Sequence, residues 1–371
     1  MKWLNSLLAL SVLGCCATTA QAQILIGQTA GYSGAVAAGV KETADGAKLY
    51  LNAINAKGGV NGQKIELLSM DDKFDPKLAA DNARVLIEDK NVVAMFLTRG
   101  TPHTEGIIGL LDKHGVPLIG PSTGAMVLHQ PVKKYVFNVR ATYQREAEKA
   151  IAHLSTLGIK RIALIQTDDS FGADGAAGVL KGLAAAGLTA VANEKFDRSK
   201  PDFSKIIMKV VAADAQAVVM IASGSAVVTA VNVLRALGSG AQVVTLSNNA
   251  SSGFIKSLGE NARGVIVTQV FPNERAIAYA FVKEAQDLVR SSKDAAELSP
   301  ATLEGFAAAK VLVEALRRAG PSPTRAKIQT ALENMKKFDL GGLEVSFGPD
   351  DHTGLDFADL SIIGTDGKFK R

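Results

Sequence analysis

Apolar residues fall along this chain in short runs, each followed by a longer stretch in which they recur every three or four positions. Ile24 to Gly27 is an apolar run of strand length. Val40 to Ala56 follows, with Ala44, Ala47, Leu51 and Ile54 on one helical face and a stop at Gly58-Gly59. Ile65 to Ser69 predicts a second strand. Asp75-Pro76 then supplies an N-cap and a first-turn proline for a helix reaching about Asp89. Val92 to Leu97 predicts a third strand, Glu105 to His114 a third helix and Val116 to Ile119 a fourth strand. Strand and helix alternating in this way predict a parallel, doubly wound sheet covered on both faces.

The pattern then restarts. Arg161 to Gln166, Leu188 to Phe196, Ala217 to Ile221 and Gln242 to Leu246 read as strands, with helices over Gly172 to Ala186, Phe203 to Ala212 and Val227 to Leu237. The halves echo each other locally, Asn91 to Gly100 against Ala215 to Gly224. The last third is helical over about Asn273 to Arg290, Thr302 to Ala319 and Pro323 to Lys336, before two short strands at Leu343 to Phe347 and Leu360 to Ile363. Helices that follow the second sheet are expected to return and complete the first lobe. The expected division is therefore residues 23–141 with 273–341, and 142–272 with 342–371. Several crossing segments would then form a hinge rather than one loose linker.

The first 22 residues change the compartment. Lys2 leads into the apolar stretch Leu7 to Gly14 and the small-x-small triplet Ala20-Gln21-Ala22, the pattern of a cleaved export signal, so the working chain is expected in the periplasm. Val12-Leu-Gly-Cys15 also loosely fits a lipoprotein box, and anchoring through Cys15 is the alternative. No later run reaches the ~18 apolar residues of a membrane span.

Composition then narrows the classes. With 371 residues, 47% apolar and 21% charged, the chain is a folded one, too long for a single core. The net charge of +5 is spread: the longest basic runs are pairs such as Lys133-Lys134 and Arg317-Arg318, set among acids, which argues against nucleic acid as a partner. The only cysteines, Cys15 and Cys16, leave no disulfide or zinc framework.

Catalytic motifs are missing. Gly27, Gly31, Gly34 and Gly39 have the wrong spacing for a dinucleotide loop, and no phosphate loop, zinc-helix motif or nucleophile elbow is found. The five histidines are scattered without metal-ligand spacing; His103 stands out only by its place at a strand end. Asp71-Asp72 and Asp168-Asp169 read best as turn and cap residues. No enzyme, cofactor or metal is expected. What recurs is binding equipment at strand carboxyl ends: Thr98-Arg99-Gly100-Thr101, Gly120-Pro-Ser122-Thr123-Gly124, Ser223-Gly224-Ser225 and Ser247-Asn248-Asn249. Glycines and hydroxyls there converge on an anion, and Arg99 offers a fork suited to a carboxylate.

At this point the residues resemble a family, the type I periplasmic solute-binding proteins of ABC importers, in their leucine/isoleucine/valine-binding branch. The resemblance rests on Ile24 to Gly34, on Asn52-Ala-Ile-Asn-Ala-Lys-Gly-Gly-Val-Asn-Gly62 followed by Asp71-Asp72 and Asp75-Pro76, and on Pro117 to Ser122, Asp168 to Gly172 and Val233 to Gly238. It implies two Rossmann-like lobes joined by three crossings, a ligand held between closing lobes, and delivery to an ABC permease. It places the carboxylate loop at Arg99, Gly100 and Thr101, a second loop at Ser122, Thr123 and Gly124, and a covering aromatic at Phe171, with Ser223, Ser225, Asn248 and Asn249 opposite. Gly39, Gly124 and the neutral Asn248 and Asn249 depart from its amino-acid binders, which put an aromatic, a hydroxyl and a carboxylate there. The expected ligand is thus a small carboxylate-bearing molecule, either an amino acid or an organic acid without the amine. A monomer is expected. A sensing subunit, or an exported α/β enzyme, is the alternative function.

Overall fold

The computed structural model describes residues 23–292 and 297–371. The predicted export signal, with Cys15, lies outside the described residues. Strands β1 (Ile24–Ala30), β2 (Ile65–Asp71), β3 (Ala94–Phe96), β4 (Leu118–Ile119) and β5 (Val136–Phe137) form the first sheet, in the order β2-β1-β3-β4-β5. All four pairings are parallel, with Ile24 opposite Ile65 and Met95 opposite Leu118. The linking helices are α1 (Ala37–Ala56), α2 (Pro76–Arg84) and α3 (Thr101–His114).

The second sheet contains β6 (Ile162–Thr167), β7 (Ala192–Phe196), β8 (Ala217–Ile221), β9 (Gln242–Thr245) and β10 (Ile266–Gln269), with helices α4 (Tyr143–Thr156), α5 (Ser170–Ala185), α6 (Ser204–Ala212), α7 (Ser225–Ala236) and α8 (Ser252–Leu258) around it. Every residue of β6 and β8 is buried, as a strand covered on both faces must be. After β10 come α9 (Ala280–Ser291), α10 (Pro300–Ala319), α11 (Arg325–Glu333) and the small β11 (Phe338–Asp339) and β12 (Glu344–Val345) pair. The last strands are β13 (Asp359–Ile363), antiparallel to β10, and β14 (Phe369–Lys370), antiparallel to β13, which complete the second sheet in the order β14-β13-β10-β9-β8-β6-β7.

The core explains why the late helices return. Phe281 of α9, Phe306 and Leu312 of α10 and Ile328 of α11 are buried with Ile26, Phe96 and Phe137 of the first sheet. Helices α1 and α10 approach so closely that a Cβ on Gly46 would overlap the backbone of Thr302, and one on Gly305 that of Thr43. The same core takes in Val345, Phe347 and Leu355. These apolar side chains would be exposed in the second lobe, so the last crossing falls beyond Leu355 rather than at 341–342, where the sequence reading put it. The other two crossings run from Ala141 in the first core to Tyr143 in the second, and from Val267 back to Val270.

Candidate functional site

The carboxyl ends of the two sheets face each other, and the loops leaving them wall a cavity of about 360 Å³, within the usual ~300–1,000 Å³ of a small-molecule site. Ala35, Gly39 and Arg99 line it from the first lobe; Ser225, Asn248 and Phe254 line it from the second. Arg99 follows Leu97, whose positive φ of 49° turns the chain out of β3. An isolated parallel bridge between Arg99 and Ser122, with Ser122 N donating to Thr98 O at 2.7 Å, then joins the loops after β3 and β4.

Arg99 is buried, 5% exposed. Its Nη1 donates to Ser122 Oγ at 3.0 Å and its Nη2 to the carbonyl of Asn248 at 2.5 Å. Both partners are neutral, and among the described residues no carboxylate pairs with Arg99. Burial pushes its guanidinium below its ordinary value, opposed in part by Tyr143 and Glu304. Beside it, Gly100 (φ 93°) caps α3, and the hydroxyls of Thr101 and Thr123 meet at 2.7 Å. Gly124 is not an open position: a Cβ there would lie 2.6 Å from Ala141 O and 2.8 Å from Tyr143 N, in the first crossing. A hydroxyl residue is therefore excluded at 124 by packing. Gly39 does face the cavity, where a Cβ would make ordinary contact with Ser251.

The second-lobe residues divide. Asn249 is spent on the backbone, with Nδ2 donating to Ala222 O and Thr245 Oγ1 and Oδ1 accepting from Gly224 N. Asn248 Nδ2 donates to Ala222 O and to Ser223 Oγ at 2.9 Å, while its Oδ1 is buried and unpartnered. Ser225 opens α7, and its N–H donates to Ala35 O across the lobe boundary at 3.1 Å. Gly224 (φ 52°) sits against the same carbonyl, leaving no room for a Cβ. Phe171 is not on the cavity wall. It is buried in the second core, edge-on to Tyr143 with centroids 5.0 Å apart. Away from the cavity, Arg198 of the second lobe pairs with Asp169 at 2.5 Å and lies 4.9 Å over the ring of Phe74 in the first.

The charged network behind the 247–249 turn was not picked out in the sequence. Arg140, fully buried just before the first crossing, donates to Glu146 and, at 2.6 Å, to Ser247 Oγ, and lies 3.7 Å from Glu304 of α10. Glu146 also accepts from Ser247 N at 2.9 Å and from Thr268 Oγ1. Burial opposes the charge on Arg140, but Glu146 and Glu304 outweigh it and hold the guanidinium above its usual value. The available signal was a lone acid inside an apolar stretch, Ala301 to Ala309. A second missed residue is Glu42 of α1, whose carboxylate accepts from Ser252 N (2.9 Å) and Gly253 N (2.7 Å), capping α8 from the other lobe, and from Ser299 Oγ (2.6 Å). His103 is buried and stacked on Phe74, and burial lowers it to about 4, so it stays neutral at pH 7. Among the described residues no cluster of three metal-ligating side chains occurs, and no helix is long and apolar enough to cross a membrane.

Residues 23–358 match the periplasmic binding protein family. The Leu/Ile/Val-binding protein BraC3 of Rhizobium johnstonii is 26% identical over 342 residues, covering 90% of this chain and 89% of that one. A substrate-binding periplasmic protein from Ralstonia solanacearum has a similar structure, with a TM-score of 0.87 and 32% identity over 94% of this chain and 99% of its own. A possible leucine/isoleucine/valine-binding protein from Rhodopirellula baltica gives a TM-score of 0.89 at 25% identity, covering 96% and 98%. With two α/β lobes facing across a cavity, the chain belongs to the periplasmic binding protein family, in its type I, Leu/Ile/Val-binding-protein-like branch, and is a receptor rather than an enzyme.

Proposed function

We propose that this receptor takes a small carboxylate-bearing solute, an amino acid or a related organic acid, between its lobes and hands the closed, loaded form to an inner-membrane permease. The observation that carries the reading is Arg99, a buried guanidinium on the cavity wall held only by neutral oxygens. A buried cation without a counter-ion is costly, and a carboxylate accepting its fork would relieve that cost. Closure removes water from the same contacts and strengthens them. Arg99, Thr101, Ser122, Thr123, Ser223 and Asn248 are the side chains proposed to meet or support the ligand, with the backbone of Gly100, Gly124 and Ser225 shaping the site. Phe171 and Asn249 act behind it. The names of the relatives favour an amino acid within the carboxylate class.

The test is a thermal-shift screen of the mature chain with amino acids and the matching amine-free acids. A ligand at 100 times its Kd stabilises the folded form by about 2.7 kcal/mol, a readily measured shift. Carboxylates should raise the melting temperature and neutral solutes of similar size should not. If sugars or neutral amides give the only shifts, the reading is wrong.

A further inference from the structure

A second seam joins the lobes, apart from the one that Glu42 makes with α8, and the reading of Arg99 leaves it unused. Ser170 Oγ donates to Glu105 across it, and Met126 N donates to Asp174 Oδ1 at 3.0 Å. Arg198, in the loop after β7, belongs to the same seam. Its Nε donates to Asp169 Oδ2 at 2.6 Å, and Asp169 caps α5 by accepting from Gly172 N at 3.0 Å. The guanidinium is thereby fixed on the second lobe, with its carbon 5.9 Å from the Phe171 ring of that lobe and 4.9 Å over the Phe74 ring of the first. Phe74 is itself held in place. It follows Lys73 (φ 52°) in the left-handed region at φ 61°, a costly pair of conformations for residues with side chains. Its N–H donates to Asp72 Oδ1 at 2.9 Å, and its ring stacks on buried His103 with centroids 4.4 Å apart. A Cβ on Gly100 would come 3.1 Å from Phe74 and 2.6 Å from His103 Nδ1, so both rings lie against the turn that joins Arg99 to Thr101. The pair with Asp169 lies within one lobe and survives opening. The contact with Phe74 does not, and a cation over an aromatic face is attracted to it more strongly as water is removed.

We infer that Arg198 is a positioning residue for capture: a latch on the second lobe that engages Phe74 as the lobes meet, favours the closed form, and through Phe74 and His103 seats the Gly100 turn. Arg198 touches no ligand in this role. The latch acts on closure, whatever solute the cleft takes, and so stands apart from the carboxylate reading of Arg99.

Residues 23–371 contain no cysteine, so Lys77→Cys and Lys205→Cys, at exposed positions on the two lobes, can carry nitroxide labels. Double electron–electron resonance on the mature chain, with no solute added, then gives the closed-to-open ratio directly. Arg198→Gln should lower this ratio by about 2–30-fold, the span of one cation–ring contact. Arg198→Lys, which keeps a cation, should lower it by less. Phe74→Leu should act by a similar factor, and the double variant by no more than the larger single effect. Phe74→Trp, which supplies the best ring for a cation, should raise the ratio and remains informative if the leucine variant does not fold. An unchanged ratio in Arg198→Gln overturns the inference, as does full additivity of the Arg198 and Phe74 substitutions. A lower melting temperature with the ratio unaltered overturns it too, assigning Arg198 to the fold of the second lobe alone. Because no solute is present, each of these failures leaves the carboxylate reading of Arg99 standing.

Discussion

Arg99 Nη2 lies 2.5 Å from the carbonyl oxygen of Asn248, so that a side chain at the end of β3 grips the backbone at the end of β9 across the lobe boundary. The contact draws the lobes together using the group best suited to a ligand's carboxylate. On the proposed reading a ligand carboxylate would share this guanidinium with Asn248, and the strength of closure would depend on how that fork is divided.

Replacing Arg99 by Ala should cost about 2–5 kcal/mol of carboxylate binding, the usual penalty for truncating one partner of a buried charged pair. Arg99→Lys should recover only part of it, because an ammonium cannot donate along two parallel directions. Calorimetry decides the matter, and unchanged affinity in the Ala variant would remove Arg99 from the site.

Gly224 lets two backbones touch. Its φ of 52° and the proximity of Ala35 O exclude a Cβ in the closed form. Gly224→Ala should strain its own loop by about 1–3 kcal/mol and, more tellingly, hold the lobes apart. Small-angle scattering should then show an expanded particle even with saturating ligand; a compact one would mean the seam can yield.

Glu42 caps α8 from the opposite lobe, with two backbone N–H donors at 2.7 and 2.9 Å. Loss of a helix cap is worth about 0.5–2 kcal/mol, and here that energy exists only when the lobes meet. Glu42→Ala should therefore speed ligand release in stopped-flow measurements by roughly the corresponding factor of 2–30. Isolated loss of stability with unaltered release would assign Glu42 to folding alone.

His129 gives a pH dependence of definite sign. Burial, with the charge of Arg140, lowers it to about 4 from an ordinary 6.5. Between these values the unfolded chain binds the proton and the folded chain does not. Stability is thus fully present above about pH 6.5 and is lost as the pH falls towards 4, by up to about 3 kcal/mol for this residue. Asp72, raised to about 6 by burial, works the other way, its contribution falling as pH rises through 4 to 6. His129→Gln should flatten the acid-side loss in denaturant titrations at stepped pH; an unaltered slope would place the effect elsewhere.

Much of the architecture could be read without coordinates because it depends on local signals. Asp75 accepts from Lys77 N and Leu78 N as the Asp-Pro pair predicts, and Ala217–Ile221 is the strand its apolar run describes. Helix α4 escaped notice: its start, Thr142 capping Arg145 N, lies in a polar stretch with only a one-sided apolar stripe. Strand β5 is two residues long and is defined by its neighbour rather than by a pattern. At the site, strand-end loops drew attention to Arg99 and Asn248. Asn249 looked the same in sequence but turned its amide to the backbone, a choice made by the fold. Arg140 and Glu304 were illegible for a deeper reason. A charge buried by tertiary packing has the same letter as one in water, and their partner residues are 164 positions apart in numbering.

The antiparallel β13–β14 hairpin bears on how the protein is made. Strand β10 is paired on one side by β9 and on the other only by residues 359–363, which arrive after α9, α10 and α11 have been added to the first lobe. Until those residues leave the ribosome, the second sheet has an open edge available to any other chain. The first lobe lacks its helical cover for most of the same interval. Synthesis therefore yields no finished half-molecule: both lobes are completed almost together, once residues 300–363 are available.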